Sequence, residues 1–238
     1  MTKDLLLSSL KGGLIVSCQA LEGEPLYRKE GGIMPLMAVA AQYAGVAAIR
    51  ANSVLDISQI KEKVNLPVIG IIKKSYSPFE QFITATMEEV DQLTDVGADI
   101  VALDCTNRPR FDGKTIIEHI THIKSKYPYS IIMADISNYD EGITAASAGA
   151  DIIGTTLCGY TPYTYNESLK GPSFELVRRL SESINTPVIA EGKIHYPWEA
   201  RRMLEMGAWS VVVGGAITRP MEIAKRFVDA LKKQECSG

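Results

Sequence analysis

The sequence is poor in the residues that staple small folds or hold metals. Its 238 residues include four cysteines, Cys18, Cys105, Cys158 and Cys236, and no two of them stand in CxxC spacing. That excludes a disulfide framework or a cysteine zinc site as the organising device, and reduced thiols fit a cytoplasmic protein. Histidine occurs three times, and the pair in EHITH at 118–122 reads as the solvated face of an outer helix, not as a metal centre. Long apolar runs are missing: the start, MTKDLLLSSLKGG, is too short to span a membrane and shows no clear cleavage pattern. There is no excess of positive charge. Lys and Arg number 25 against 28 Asp and Glu, a formal net charge of −3, so the basic face that nucleic-acid binders carry is not expected. Neither GxxxxGK[ST] nor GxGxxG occurs, which leaves nucleotide and dinucleotide sites unsupported.

What the chain does have is core material, 46% hydrophobic residues against 22% charged, and that fits a globular fold. Short β-branched runs recur along it: LIVSC at 14–18, VAAIR at 46–50, PVIGII at 67–72, DIVALD at 99–104, SIIMAD at 130–135, DIIGTT at 151–156, PVIAE at 187–191 and SVVVGG at 210–215. Helical spacing lies between them, as in Met87, Val90, Leu93 and Thr94, in Ile116, Ile117, Ile120 and Ile123, and in Phe174, Val177, Leu180 and Ile184. Thr86 and Glu89 stand in the T-x-x-E spacing of a capped helix start, and Pro35 suits a first turn.

The strand runs are apolar on both faces, as a parallel sheet covered by helices requires. A repeat argues for closure of that sheet. AGVAAI, VGADIVAL, AGADIIGT and MGAWSVVV each join a helix-ending glycine (Gly45, Gly97, Gly149, Gly207) to an even-numbered strand, at intervals of 52, 52 and 58 residues. Two strand–helix units fill each interval, so the expected fold is an α/β, parallel eight-stranded (β/α)8 TIM barrel, with residues 1–238 as one domain and Leu21 to Gly32 as its main excursion. A doubly wound open sheet is the rival architecture.

In such a barrel the chemistry sits at the carboxyl ends of the strands. The residues there are Gln19, Arg50, Lys73 with Lys74, Asp104, Asp135, Thr155 with Thr156, Glu191, and Gly214 with Gly215. Any one of these could simply mark where a strand leaves the core. After strand eight, two glycines open the backbone and Arg219 follows, as an anion cradle would have it, although a GG pair is also found in plain tight turns. Gly192 adds a glycine after strand seven. Strands three and seven face each other across a barrel, so a lysine from Lys73 or Lys74 and the carboxylate of Glu191 meet at its mouth, as a salt bridge or as an acid/base pair. Cys18, Cys105 and Cys158 have no histidine partner motif and read as small buried or loop side chains.

Taken together, SCQAL with EPL, AAIRA, GIIK with a following Tyr, ALD, MADIS, TTLxGYTPY, AEGKI and VVGGAITRP resemble the N-acetylmannosamine-6-phosphate 2-epimerases, from about Gly13 to Arg226. Lys74 and Cys158 depart mildly from the family pattern, standing where Arg and Ser are usual. The resemblance implies a barrel with a phosphate site like that of the ribulose-phosphate-binding barrels. It also implies interconversion of N-acetylmannosamine 6-phosphate and N-acetylglucosamine 6-phosphate in sialic acid breakdown, without cofactor or metal. On that likeness Lys73 and Glu191 are the catalytic pair, Gln19, Arg50 and Asp135 surround the sugar, and Gly214, Gly215 and Arg219 match the phosphate end, to which the strand-seven loop adds Gly192. The partner expected is a small amino-sugar phosphate, with no nucleic acid or membrane, and a homodimer is compatible with the likeness. A Schiff-base aldolase and a noncatalytic sugar-phosphate-binding barrel are the alternatives.

Overall fold

The computed structural model describes residues 2–166 and 171–232; Cys236, and the ends of the 1–238 domain expected from the sequence, lie outside the described residues. Among them, strands β1 (Leu14–Cys18), β2 (Ala48–Asn52), β3 (Val68–Ile71), β4 (Ile100–Asp104), β5 (Ile131–Asp135), β6 (Ile152–Gly154), β7 (Val188–Ala190) and β8 (Ser210–Val213) pair in chain order as a closed barrel. Every pairing is parallel, and β8 returns to β1 with Leu14 opposite Val211 and Val16 opposite Val213. The rival open sheet is thereby excluded, because no strand edge is left unpaired among the described strands.

The strands are apolar on both sides because two cores meet them. Ile15, Ile69, Ile100, Met133, Ile152 and Ile189 fill the barrel interior, while Val16, Ile49, Val101, Ile132, Ile153 and Val211 face the surrounding helices. Those helices are α2 (Ile33–Tyr43), α3 (Val54–Lys61), α4 (Met87–Asp95), α5 (Ile116–Lys126), α6 (Tyr139–Ser147), α7 (Phe174–Ser183), α8 (Pro197–Glu205) and α9 (Pro220–Lys232). The repeated glycines follow the ends of α2, α4, α6 and α8, all with φ between +76° and +97°, a left-handed turn in which a Cβ would be strained. At the start of α4, Glu89 accepts from Thr86 N at 2.7 Å, as the T-x-x-E spacing predicts.

Two features go beyond the sequence reading, an N-terminal helix and the exposure of α9, and one, His119, departs from it. Residues Lys3–Leu10 form a further helix, α1, capped by Thr2, whose buried Leu6 and Leu10 plug the bottom of the barrel beneath Trp209. The Trp209 indole N–H fixes it by donating to Leu7 O at 2.7 Å. His119 is not on a solvated face. It is 0% exposed, packed inward between Ile116 and Ile123, and only His122 faces water. Helix α9 has none of its residues buried, and its Phe227 and Leu231 are 71% and 76% exposed. No helix among the described residues is long and apolar enough to cross a membrane.

Candidate active site

The carboxyl ends of the strands open onto a cavity of about 560 Å³ lined by Gln19, Lys73, Tyr160, Glu191, Gly192, Gly214, Gly215 and Arg219, among others. A larger hollow, about 660 Å³, lies beside the loop after β4, lined by Phe79, Arg108, Phe111 and Thr144. Size therefore does not mark the site here; the strand ends do.

The paired lysines after β3 part company. Lys74 is half exposed, with its ammonium 5.1 Å from the Tyr76 ring and 4.0 Å from Glu88. Lys73 turns into the cavity. Its backbone N–H donates to Asn52 Oδ1 at 2.8 Å, and a short antiparallel return opposite Ile83 holds the segment. Burial lowers the Lys73 pKa to about 8, helped by the charges of Arg50 and Arg219 and opposed by Glu191 and Glu24. Its ammonium lies 5.9 Å over the Phe82 ring, at the cavity wall.

Glu191 shifts the other way. Burial beside Asp135 raises it to about 7, against the pull of Arg50, Thr156 and Lys73. Arg50 Nη1 lies 3.2 Å from Glu191 Oε2, and the same guanidinium grips Asp135 through both nitrogens, Nη1–Oδ1 at 3.2 Å and a shorter Nη2–Oδ2 contact. The Thr156 hydroxyl stands 2.6 Å from Asp135 Oδ1 and 3.2 Å from Glu191 Oε2. The neighbouring Gly154 leaves this cluster its room, since a Cβ there would come within 3.0 Å of Asp135 Oδ1 and 3.2 Å of Thr156 Oγ1.

The far end of the cavity is built by the loop after β8. Gly214 O accepts from Ile217 N at 2.8 Å and Thr218 N at 2.9 Å, which coils the backbone into a turn leading to α9. Thr218 Oγ1 donates to Ser17 O at 2.7 Å and ties that turn to β1. Gly192, at φ +106°, brings the loop after β7 against Thr156 O, where a Cβ would stand at 3.3 Å. Arg219 is flanked by two carboxylates, with Nε 3.1 Å from Glu24 Oε1 and 3.5 Å from Glu222 Oε1. These are ion pairs without hydrogen-bond geometry, because the same buried Nε has no hydrogen-bond partner.

Of the residues expected from the sequence, Gln19, Lys73, Glu191, Gly192, Gly214, Gly215 and Arg219 line one cavity. Arg50 and Asp135 do not line it. They are 1% and 0% exposed and sit behind Glu191, so they reach the cavity through that carboxylate. Tyr160, Lys193, Glu24 and Glu222 also line the cavity and were not singled out by sequence. Glu24, Tyr160 and Lys193 stand inside the EPL, GYTPY and AEGKI motifs, and Thr156, which also lines the cavity, marks a polar strand end; Glu222 carried no such signal. Cys18 and Cys105 are buried, and burial pushes the Cys18 thiol up to about 12, which suits inert packing.

Comparison with known proteins agrees with this geometry. A family model described as "Putative N-acetylmannosamine-6-phosphate epimerase" matches residues 34–233. A protein of Caldanaerobacter subterraneus subsp. tengcongensis named "Putative N-acetylmannosamine-6-phosphate 2-epimerase" is 52% identical, over 98% of this chain and 97% of its own. One of the same name from Enterobacter sp. (strain 638) is 50% identical over 95% of both. Among solved structures, the N-acetylmannosamine-6-phosphate 2-epimerase of Clostridium perfringens superposes with a TM-score of 0.88 at 47% identity, covering 94% of this chain and 96% of that one. The chain belongs to the N-acetylmannosamine-6-phosphate epimerase family.

Proposed function

We propose that this chain interconverts N-acetylmannosamine 6-phosphate and N-acetylglucosamine 6-phosphate by moving a proton at C2, with Lys73 and Glu191 as the acid/base pair. The observation that carries this reading is that the two groups line one cavity with pKa values drawn together, to about 8 and about 7.

The two sugars differ only in configuration at C2. That C–H becomes acidic once the ring opens, because the electron pair left at C2 delocalises onto the C1 aldehyde oxygen as an enolate. Inversion then needs a base on one face and an acid on the other. Lys73 as ammonium with Glu191 as carboxylate differs from neutral amine with carboxylic acid only in where one proton sits. Lys73 is shifted down and Glu191 up, so the two arrangements are brought closer in energy than free side chains would be. The two residues can therefore swap roles between the forward and reverse directions. Arg50, Asp135 and Thr156 hold the Glu191 carboxylate from beneath. Gln19 reaches the sugar, and the phosphate anchors at Gly192, Gly214, Gly215 and Arg219.

The homodimer that the family likeness allows has the exposed Phe227 and Leu231 of α9 as its support. Incubation of N-acetylmannosamine 6-phosphate with the protein in heavy water tests the reaction. The expected product is N-acetylglucosamine 6-phosphate carrying deuterium at C2. Substrate binding without C2 exchange would leave a noncatalytic binder, and a lysine adduct trapped by borohydride would leave the aldolase reading.

A further inference from the structure

Among the described residues, the cavity holds three cationic side chains, Lys73, Lys193 and Arg219, and three carboxylates, Glu24, Glu191 and Glu222. A site that takes a phosphate dianion is thus lined by as many acids as bases. One carboxylate, Glu191, belongs to the proton chemistry. The other two converge on Arg219, the cation at the phosphate end.

These two acids are held differently. Glu24 is anchored to the loop after β1: its Oε2 accepts from Leu21 N at 2.8 Å while Oε1 faces Arg219 Nε at 3.1 Å. Glu222, in the first turn of α9, has Arg219 Nε as its ion-pair partner at 3.5 Å, and its side chain is 41% exposed. Its carboxylate is packed directly on Gly215: a Cβ added to that glycine would collide with Oε2 and meet Cδ at 3.1 Å. The Tyr160 hydroxyl, another lining group, is raised by burial and then by the charges of Glu222 and Glu191, so the Glu222 carboxylate lies near the cavity.

We propose that Glu222 is an internal competitor for the phosphate cradle. Its carboxylate stands beside Gly215 and Arg219, the place a phosphate oxygen takes in the complex. Binding then exchanges one anion for another: the substrate phosphate displaces Glu222, which swings toward solvent about its own side-chain bonds, while Glu24 keeps Arg219 oriented. The exchange keeps two anions beside Arg219 in either state, Glu24 with Glu222 or Glu24 with phosphate, and it weakens the hold on phosphate-bearing product as well as substrate. This inference rests on the reading of the Gly214–Gly215 turn as the phosphate site.

The experiment measures binding of inorganic phosphate, and separately of unphosphorylated N-acetylmannosamine, to the wild-type protein, Glu222→Gln and Arg219→Gln by calorimetry. Removing the competing charge while keeping the shape is expected to tighten phosphate by roughly three- to tenfold, the scale of one partly exposed charge pair, and to leave the neutral sugar unchanged. Arg219→Gln is expected to weaken phosphate. Unchanged or weaker phosphate binding by Glu222→Gln, with Arg219→Gln weakened, overturns the competitor and leaves the cradle standing. Unchanged phosphate binding in Arg219→Gln overturns the cradle itself, and the competitor with it. Equal tightening of phosphate and neutral sugar in Glu222→Gln also overturns the proposal, since a charge competitor acts on the anion alone.

Discussion

Arg50 Nη1 stands 3.2 Å from Glu191 Oε2 and 3.2 Å from Asp135 Oδ1, so one buried guanidinium is shared between two carboxylates. Truncating it strands both acids. Arg50→Gln should lower unfolding free energy by about 3–5 kcal/mol, the usual cost of leaving a buried charge unpaired, as read by urea denaturation. A loss below about 1 kcal/mol would mean that the cluster relaxes without it.

The two pKa values in the cavity fix a pH window for turnover. Both working arrangements of the pair hold one proton between Lys73 and Glu191. The rate should therefore rise as pH passes about 7, where Glu191 loses its extra proton, and fall above about 8, where Lys73 loses its own. Turnover of N-acetylmannosamine 6-phosphate is measured across pH in buffers of constant ionic strength. A flat profile through both values would separate the pair from the rate-limiting step.

Thr156 provides a finer test. Its single hydroxyl proton serves Asp135 at 2.6 Å or Glu191 at 3.2 Å, and its hydrogen bond favours ionised Glu191. Thr156→Val should move the acid limb of the pH–rate profile upward, and Thr156→Ser should restore it. A uniform rate loss with an unmoved limb would assign Thr156 to packing alone.

His119 makes acid stability measurable. Burial and the nearby Arg110 push its pKa down to about 3, and neither ring nitrogen has a hydrogen-bond partner in the fold. On acidification the unfolded chain takes up that proton first. Stability from this site is complete above the unfolded value of about 6.5 and is lost as pH falls toward the folded value, at up to about 1.4 kcal/mol per pH unit. His119→Gln should flatten the dependence of unfolding free energy on pH below neutrality. An unchanged slope would mean that His119 does not titrate on unfolding.

The barrel was legible because its signals are local and repeated. Gly45, Gly97, Gly149 and Gly207 each occupy a left-handed helix end, and that conformation leaves a mark in sequence. The strand ends named the cavity for a similar reason, since polar residues there end short apolar runs. What sequence could not supply was direction and depth. Alternation sends Lys73 and Lys74 to opposite faces, but both faces of β3 are buried, so periodicity alone does not say which enters the cavity; the family likeness selects Lys73, and Lys73 lines it. Arg50 and Asp135 read as sugar contacts because register cannot tell a side chain that lines a cavity from one that lies under it. Glu24 and Glu222 are brought together by Arg219 across nearly the whole chain, and no spacing rule spans that distance. His119 shows the reverse error: a polar residue type outweighed its place on the Ile116–Ile120–Ile123 face.

The most direct test of the central claim follows exchange of the C2 hydrogen of N-acetylmannosamine 6-phosphate with heavy water in Lys73→Ala beside the wild-type protein. The wild type is expected to incorporate deuterium at C2 as it epimerises. The variant should fold, still bind the sugar phosphate, and lose both exchange and epimerisation by about 10²-fold or more, the lower bound for removing a positioned acid/base group. Exchange and turnover retained at wild-type rates in Lys73→Ala would contradict the assignment of this lysine to the C2 proton.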